Sequence, residues 1–392
     1  MLKLRGRTVA LRKSFQEPRL LIITYRADIP ERLRANFAFL TDSELPSSEG
    51  FAAVLVRGAV SDAQLDASGA TDVYRLGDEY HYLDEGDIVR LNPAQDTLGA
   101  LFRVRSPNNT ILLTEQCNHY CLMCSQPPRA VDDFWIMEEV LELIRLIPPG
   151  TPSLGFSGGE PTLYGDRFVR LVRHVKNHLP HTHVDILTNG RAFKDQGFAD
   201  ALGDVRHPSL LLGIPLYSDD PVRHDFVVQS SGAFDETVRG ILNLRRANVG
   251  VELRIVIHRE TLPRLVQTCR FIARNLLFVR HVALMGLEIT GFTRANLDQL
   301  WIDPVEYRDT LSEAAAVLTD YGINTSIYNH QLCLVNPDVY PIYKKSISDW
   351  KNEFLDECES CERKADCGGF FSSSVQYRHS TNIRPMHKVL SA

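Results

Sequence analysis

The sequence predicts an α/β fold: six strand–helix units set between a β-rich N-terminal module and a small cysteine-rich C-terminal extension. Three observations predict it. Apolar strand-like runs alternate with helical stretches from Asn108 to about Thr293. Only short strand-like runs, separated by turn residues, precede Ser106. Beyond Cys333 the cysteines cluster again. The expected domains are therefore 1–106, 107–300 and 301–392, a count that suits a chain of this length.

In the N-terminal module the strand-like runs are Val9–Leu11, Leu20–Tyr25, Phe51–Val56, Val73–Leu76 and Asp87–Leu91, with Gly99–Val104 completing a hairpin. Ser43–Gly50 reads as a loop. No residue here carries nameable chemistry; the module is either a structural lid or a docking surface. In the middle segment the strands are Thr110–Leu113, Ser153–Phe156, His183–Leu187, Leu210–Leu216, Val251–Ile257 and His281–Leu287. Helical spacing marks Phe134–Ile147, Arg167–His178, Asp235–Ala247 and Thr261–Asn275. Alternation of this kind implies a parallel sheet with right-handed crossovers. Functional groups of such barrels gather at the C-terminal strand ends. A helix at Glu306–Asp320 and a strand-like run at Asn324–Tyr328 precede Cys333.

Composition sets limits. A net charge of −6, from 43 basic and 49 acidic residues, argues against a phosphate-binding surface, so nucleic acid is not an expected partner. The first 15 residues carry five basic side chains but no apolar stretch of signal length, and no export signal is expected. No apolar run is long enough to span a bilayer. Seven of the eight cysteines fall in two groups with metal-ligand spacing, which favours a reducing cytoplasm over disulfides. The eighth, Cys269, lies within a helical stretch and reads as a buried inert thiol.

Cys117, Cys121 and Cys124 follow the apolar run Thr110–Leu113 with the spacing C-x3-C-x2-C. Three thiolates on one loop can hold three corners of a cubane 4Fe-4S cluster and leave the fourth iron open, since full cysteine ligation needs four. Zinc is the bland alternative, but it wants a closed tetrahedron, and His119 between the first two cysteines is badly placed to complete one. One strand later comes Leu154-Gly-Phe-Ser-Gly-Gly-Glu-Pro-Thr162. Its paired glycines admit a close backbone approach that a Cβ would block.

The two motifs together resemble the signature of the radical S-adenosylmethionine (radical SAM) superfamily. The resemblance implies a partial (β/α)6 barrel, a 4Fe-4S cluster on Cys117, Cys121 and Cys124, and SAM chelated to its open iron. It implies reductive cleavage of SAM to methionine and a 5′-deoxyadenosyl radical that abstracts hydrogen from a substrate. Carried over residue by residue, it assigns SAM contacts to Ser157, Gly158, Gly159, Glu160 and Pro161. At later strand ends it assigns Thr188, Asn189 and Ser218, with Arg254 pairing the SAM carboxylate. Thr188 and Ser218 also suit helix caps, and Arg254 an ordinary ion pair. Where the superfamily usually has an aromatic residue against adenine, this chain has Met123, whose thioether makes a softer contact.

Cys333, Cys358, Cys361 and Cys367 supply four further ligands, with C-x2-C-x5-C at the core. Four cysteines suit either an iron–sulfur cluster or zinc. The arrangement resembles the SPASM or twitch extensions of peptide-modifying radical SAM enzymes. Full SPASM sequences have another cysteine where Phe371 stands, so one auxiliary 4Fe-4S cluster is expected, not two. From Leu113–Pro128, Phe156–Tyr164, Ile347–Asn352 and Cys367–Phe371 the chain resembles the radical SAM maturases of the His-Xaa-Ser peptide system, subgroup C. That implies a ribosomally made peptide or protein substrate with His-Xaa-Ser repeats. It also implies a second radical SAM maturase and an electron donor such as flavodoxin or ferredoxin. An extended peptide is expected to pair with a strand edge of the N-terminal module. Two other readings stay open: a radical SAM enzyme acting on RNA or a small metabolite, and a non-catalytic zinc-binding interaction protein.

Overall fold

The computed structural model describes residues 4–42, 49–345 and 353–387. Ser43–Ser48 of the expected loop and Ile347–Asn352 lie outside the described residues. The chain divides into two compact units.

The first unit comprises Met1–Ile111, Glu138–Leu154 and Asn177–Thr182. Its strands are β1 (Arg5–Arg12), β2 (Arg19–Thr24), β3 (Phe37–Thr41), β4 (Ala53–Val56), β5 (Val73–Leu76), β6 (Ile88–Asn92) and β7 (Thr97–Phe102). They close into a barrel in the order β1-β5-β4-β3-β2-β6-β7, with β7 bonded back to β1. Strands β2 to β5 run parallel, through crossovers that contain α1 (Glu31–Arg34) and α2 (Asp62–Ser68). Helix α2 opens on a Ser61–Gln64 capping box and closes on Gly69 at φ 66°.

Side chains fill the barrel, among them Leu21, Leu40, Leu55, Tyr74 and Tyr80. Phe39, Val54, Val56 and Val73 pack instead with Leu65 of α2. Strand β3 is absent from the sequence expectations for this reason. With Ala38 and Leu40 in one cluster and Phe39 in the other, it is covered on both faces and shows no alternation.

Barrel closure corrects one expectation. Each barrel strand has partners on both sides, so among the described residues this N-terminal barrel offers no free strand edge to an extended peptide.

The second unit comprises Leu112–Met137, Gly155–Lys176 and His183–Ala392. The strands β8 (Thr110–Leu112), β9 (Ser153–Ser157), β10 (His183–Leu187), β11 (Leu210–Pro215), β12 (Gly250–Ile257), β13 (His281–Gly286) and β14 (Thr325–Tyr328) form one open sheet in sequence order. Pairing from β10 to β14 is parallel. The remaining helices are α3 (Phe134–Leu146), which from Glu138 onward is counted in the first unit, α4 (Asp166–His178), α5 (Gln196–Gly203), α6 (Pro221–Val228), α7 (Ala233–Arg246), α8 (Leu265–Asn275), α9 (Phe292–Ala295), α10 (Leu297–Leu300), α11 (Pro304–Asp320) and α12 (Ser372–Tyr377).

The six expected strands are present, and β14 joins as a seventh beside β13, with Val282 opposite Thr325. Four residues are too few to reveal in sequence which sheet they enter. Val184, Ile186, Leu212, Ile214, Leu253 and Ile255 are fully or nearly buried on one face. The alternate positions His183, Asp185, Arg254 and His281 are less covered and form a polar face. Cys269 in α8 is fully buried and its thiol is pushed up to about 12 by burial, as an inert cysteine should be. Among the described residues no helix is long and apolar enough to cross a membrane.

Buried histidines give this fold an acid limit. His330 Nδ1–H donates to the Tyr328 carbonyl at 2.7 Å, and its Nε2 accepts from the Tyr307 hydroxyl at 2.9 Å. Burial pushes its pKa down to about 4, and the same cause takes His224 to about 4 and His258 to about 3. An unfolded histidine titrates near 6.5. Below that pH the unfolded chain binds more protons, so stability falls as pH drops from 6.5 towards 4. For His330 the full loss is on the order of 3 kcal/mol. Melting temperatures across that range should fall steeply in the native chain and less steeply in His330→Gln.

Candidate functional site

The three N-terminal cysteines lie on the loop that leaves β8, and all are half-buried. Asp133 organises the start of that loop. Its carboxylate accepts from Thr114 Oγ1 at 2.9 Å, Glu115 N–H at 2.6 Å, Gln116 Nε2 at 3.0 Å and the Tyr164 hydroxyl at 3.2 Å. Burial works against the charge, but these hydrogen bonds outweigh it and hold the carboxyl below its usual range.

Further along, the loop backbone is gripped from two sides. Tyr120 and Leu122 N–H donate to the Val228 and Val227 carbonyls at 3.2 and 2.9 Å. The Leu122, Met123 and Cys124 carbonyls accept from Asn296 Nδ2 at 2.8 Å, Thr293 Oγ1 at 3.2 Å and Phe292 N–H at 2.8 Å. Gly291 permits this approach, since a Cβ there would lie 2.2 Å from the Cys124 oxygen.

The glycine pair of the second motif faces the same loop. Gly159 and Glu160 N–H donate to the Thr114 and Gln116 carbonyls at 2.8 and 2.7 Å. A Cβ on Gly158 would stand 2.5 Å from the Thr114 oxygen, and one on Gly159 only 1.9 Å from the Gln116 oxygen. The close approach these glycines allow is thus to the cysteine loop itself.

Glu160 is a buried hub. Its carboxylate accepts from Thr162 N–H at 3.0 Å, Thr162 Oγ1 at 2.5 Å, Thr188 Oγ1 at 2.7 Å and Asn189 N–H at 2.6 Å. Burial raises its pKa despite these donors. Asn189 Nδ2 reaches back to Asn118 Oδ1 at 2.7 Å, between Cys117 and Cys121. Glu160, Thr188, Asn189 and the cysteine loop therefore form one hydrogen-bonded assembly, with Pro161 opening the buried turn that follows.

Other expected residues sit nearby in different roles. Ser218 is buried and its Oγ accepts from Asp220 N–H at 3.1 Å, a local turn beside α6. Met123 is buried in an apolar cluster with Tyr217, Val227, Val228, Ala233 and Leu300. Ser157 ends β9 and its carbonyl accepts from Leu113 N–H at 2.8 Å. Arg254 Nε is 2.5 Å from Glu252 Oε1 on its own strand. Sequence reasoning missed Asp133, Asn118 and Asn296.

Burial pushes the Cys117 thiol up to about 11 and raises Cys121 and Cys124 as well. Three such thiols resist shared ionisation unless a polycation binds them, and bound metal deprotonates cysteine outright. Three clustered thiols of this kind suit a bound metal centre, the 4Fe-4S cluster that the sequence motif implies being one that they could hold. The four C-terminal cysteines line one pocket of about 350 Å³ together with Arg363, Lys364 and Arg384. Leu332 and Gly369 N–H donate to Cys367 Sγ at 3.4 Å, and Met386 N–H to Cys361 Sγ at 3.3 Å. Amide donors and three cations suit a set of thiolates that is negative overall. Among the described residues no three His, Cys, Asp or Glu side chains converge on a single-ion position. A larger cleft of about 650 Å³ lies at the ends of β12 and β13, lined by Trp301, Tyr307, Phe370, Phe371 and Arg378 among others.

Residues 111–272 match the model of the Radical SAM superfamily. The matched span holds the cysteine loop, the glycine turn and Arg254. A probable GTP 3',8-cyclase of Methanocella arvoryzae is 31% identical over 133 residues, which are 33% of this chain and 41% of that protein. The chain thus matches under half the length of this relative. Streptococcus suis SuiB bound to S-adenosylmethionine aligns at a TM-score of 0.46 and 15% identity, over 56% of this chain and 50% of that one. Native anSMEcpe with bound AdoMet aligns at 0.44 and 18% identity, over 56% of this chain and 63% of that one.

Proposed function

We propose that this chain, whose residues 111–272 match the Radical SAM superfamily, is an enzyme that uses SAM to modify a ribosomally made peptide or protein. One observation carries the reading: the cysteine loop is fastened through its backbone to the Gly158–Glu160 turn at the end of β9. Cys117, Cys121 and Cys124 would hold the catalytic 4Fe-4S cluster, and the turn with Thr188 and Asn189 would border SAM. When bound, cluster and SAM supply one-electron chemistry: reductive cleavage of SAM and removal of a hydrogen atom from substrate. The chain's own part is to fix the ligands. Glu160 holds the ends of β9 and β10 together, and Asp133 sets the entry to the loop. Fixed first-shell geometry of this kind keeps the reactive atoms near the bond to be broken.

Cys333, Cys358, Cys361 and Cys367 would hold one auxiliary 4Fe-4S cluster in their shared pocket. Reconstituted protein is then expected to contain about eight irons and almost no zinc. About four irons with bound zinc would remove the auxiliary cluster, and about twelve would require a third cubane. The aromatic and polar lining of the larger cleft suits a peptide segment. A partner maturase and a flavodoxin- or ferredoxin-like donor, in a cytoplasmic setting, complete the proposal.

A second reading, a small-metabolite substrate, is favoured by the relative named as a probable GTP cyclase. Anaerobic turnover with SAM and reductant separates the two. A peptide carrying His-Xaa-Ser repeats should stimulate 5′-deoxyadenosine release and change in mass. Consumption of GTP with an unchanged peptide would move the assignment to the small molecule. Absence of deoxyadenosine with intact clusters would overturn both.

A further inference from the structure

The two groups of cysteines sit in opposite electrostatic settings. In the first, the charged side chains of the loop, Glu115 and Arg129, pair with each other, with Arg129 Nη1 3.2 Å from both carboxylate oxygens. Among the described residues one amide points at a sulfur there: His119 N–H donates to Cys117 Sγ at 3.4 Å. A carbonyl points at another, the Gln126 oxygen lying 3.0 Å from Cys124 Sγ.

In the second group three amides point at sulfurs, Leu332 and Gly369 N–H at Cys367 and Met386 N–H at Cys361. The pocket wall adds Arg363, Lys364 and Arg384 and, among the described residues, no carboxylate. Asp356, Glu357, Glu359 and Glu362 stand exposed on the same stretch of chain, whereas Arg363 and Lys364 are half-buried. Arg363 is tied to Asp366 at 2.7 Å. Lys364 holds its ammonium 5.1 Å from the Phe354 ring, which lines the same pocket. Arg384 is more exposed and its charge is partly screened. The outward acids are screened in the same way, and a charge at the pocket wall less so.

The potential of an iron–sulfur centre follows its net charge, the hydrogen bonds to its sulfurs and its exposure. Exposure does not separate the two groups, since all seven cysteines are half-buried. A fourth thiolate adds one negative charge to the C-terminal centre. With an amino-acid carboxylate chelated at the open iron of the other, both carry four anionic ligands. What remains is three amides and the cations against one amide and a carbonyl. An added electron is therefore held better by the C-terminal group.

We propose that Lys364 and Arg384 set the order in which the two centres fill, so that the C-terminal centre takes the first electron and the catalytic centre the second. This rests on the proposal that both cysteine groups hold 4Fe-4S clusters. Each step moves one electron from the flavodoxin- or ferredoxin-like donor to one cluster; the donor is oxidised, the cluster reduced, and no bond forms or breaks. The centre that cleaves SAM is thus charged only by a donor strong enough to have filled the other.

The test is an anaerobic redox titration of cluster-loaded protein, read by electron paramagnetic resonance. S-adenosylhomocysteine is present throughout, because it has the amino and carboxylate groups of SAM but no sulfonium to cleave. The triple variant Cys117→Ala, Cys121→Ala, Cys124→Ala identifies the C-terminal signal. In wild-type protein, where that signal is half developed, the reduced-to-oxidised ratio of the catalytic centre should be smaller by a factor of about ten or more, a separation of at least ~59 mV for a one-electron couple. Lys364→Gln with Arg384→Gln should lower the C-terminal midpoint by about that amount and leave the catalytic midpoint in place. Lys364→Arg with Arg384→Lys should keep the wild-type midpoint, which separates charge from packing. Coincident midpoints, or a catalytic centre that fills first, would overturn the ordering. A C-terminal midpoint unmoved in the neutral variant would overturn the role of the two cations. About four irons per chain with bound zinc would remove the auxiliary cluster, and this inference with it. Ordered filling in protein that never cleaves SAM would overturn the enzyme reading alone.

Discussion

Replacement of Cys117, Cys121 and Cys124 together by Ala should reduce SAM cleavage to the background of the uncatalysed reaction. The reason is chemical rather than structural. The loop is held by backbone contacts to Val227, Val228, Phe292, Thr293 and Asn296 and by Asp133, none of which uses a cysteine sulfur. The triple variant should therefore fold. Its iron should fall from about eight to about four per chain, the remainder sitting on the C-terminal cysteines. Iron analysis beside a 5′-deoxyadenosine assay reads both effects. Cleavage at the wild-type rate in the variant would sink the assignment of the loop.

Gly159→Ala should cost nearly as much function with no ligand touched. Its Cβ would have to occupy a position 1.9 Å from the Gln116 oxygen and 3.1 Å from the Cys117 Cβ. The first obstacle is main chain, which cannot rotate away, so either the turn or the cysteine loop must move. We expect a loss of about 3 kcal/mol in stability, at the upper end for overpacking, and at least half the N-terminal iron. Gly150→Ala is the control, because nothing lies within 4 Å of its Cβ position; its effect should stay within about 0.5 kcal/mol. Equal iron loading and equal melting of the two variants would mean that the glycine turn does not hold the loop.

Much of this molecule could be read directly. The six strands of the middle segment and the helices between them were legible because apolar periodicity is local, and β10 (His183–Leu187) has the expected bounds. The paired chemistry of C-x3-C-x2-C and Gly-Gly-Glu-Pro was legible because ligand spacing and backbone clearance are properties of short segments. Strand β3 and the place of β14 were not. A strand covered on both faces has no alternation, and a four-residue strand has no length to declare its sheet. Closure of the N-terminal barrel was equally hidden, since it depends on the pairing of β1 with β7, some ninety residues apart.

The site divides in the same way. By itself the sequence determined which atoms can bind metal, because that follows from residue type and spacing: three thiols on one loop and four in the tail. Tertiary structure decided what those residues lean on. It made Glu160 a hub for Thr162, Thr188 and Asn189, turned the two glycines toward the cysteine loop, and joined Arg254 to Glu252 and, through it, to His281 and Ser326. These partners come from different strands, brought within hydrogen-bond reach only by sheet register. Register is set by the packing of whole strands, and no short stretch of sequence records it.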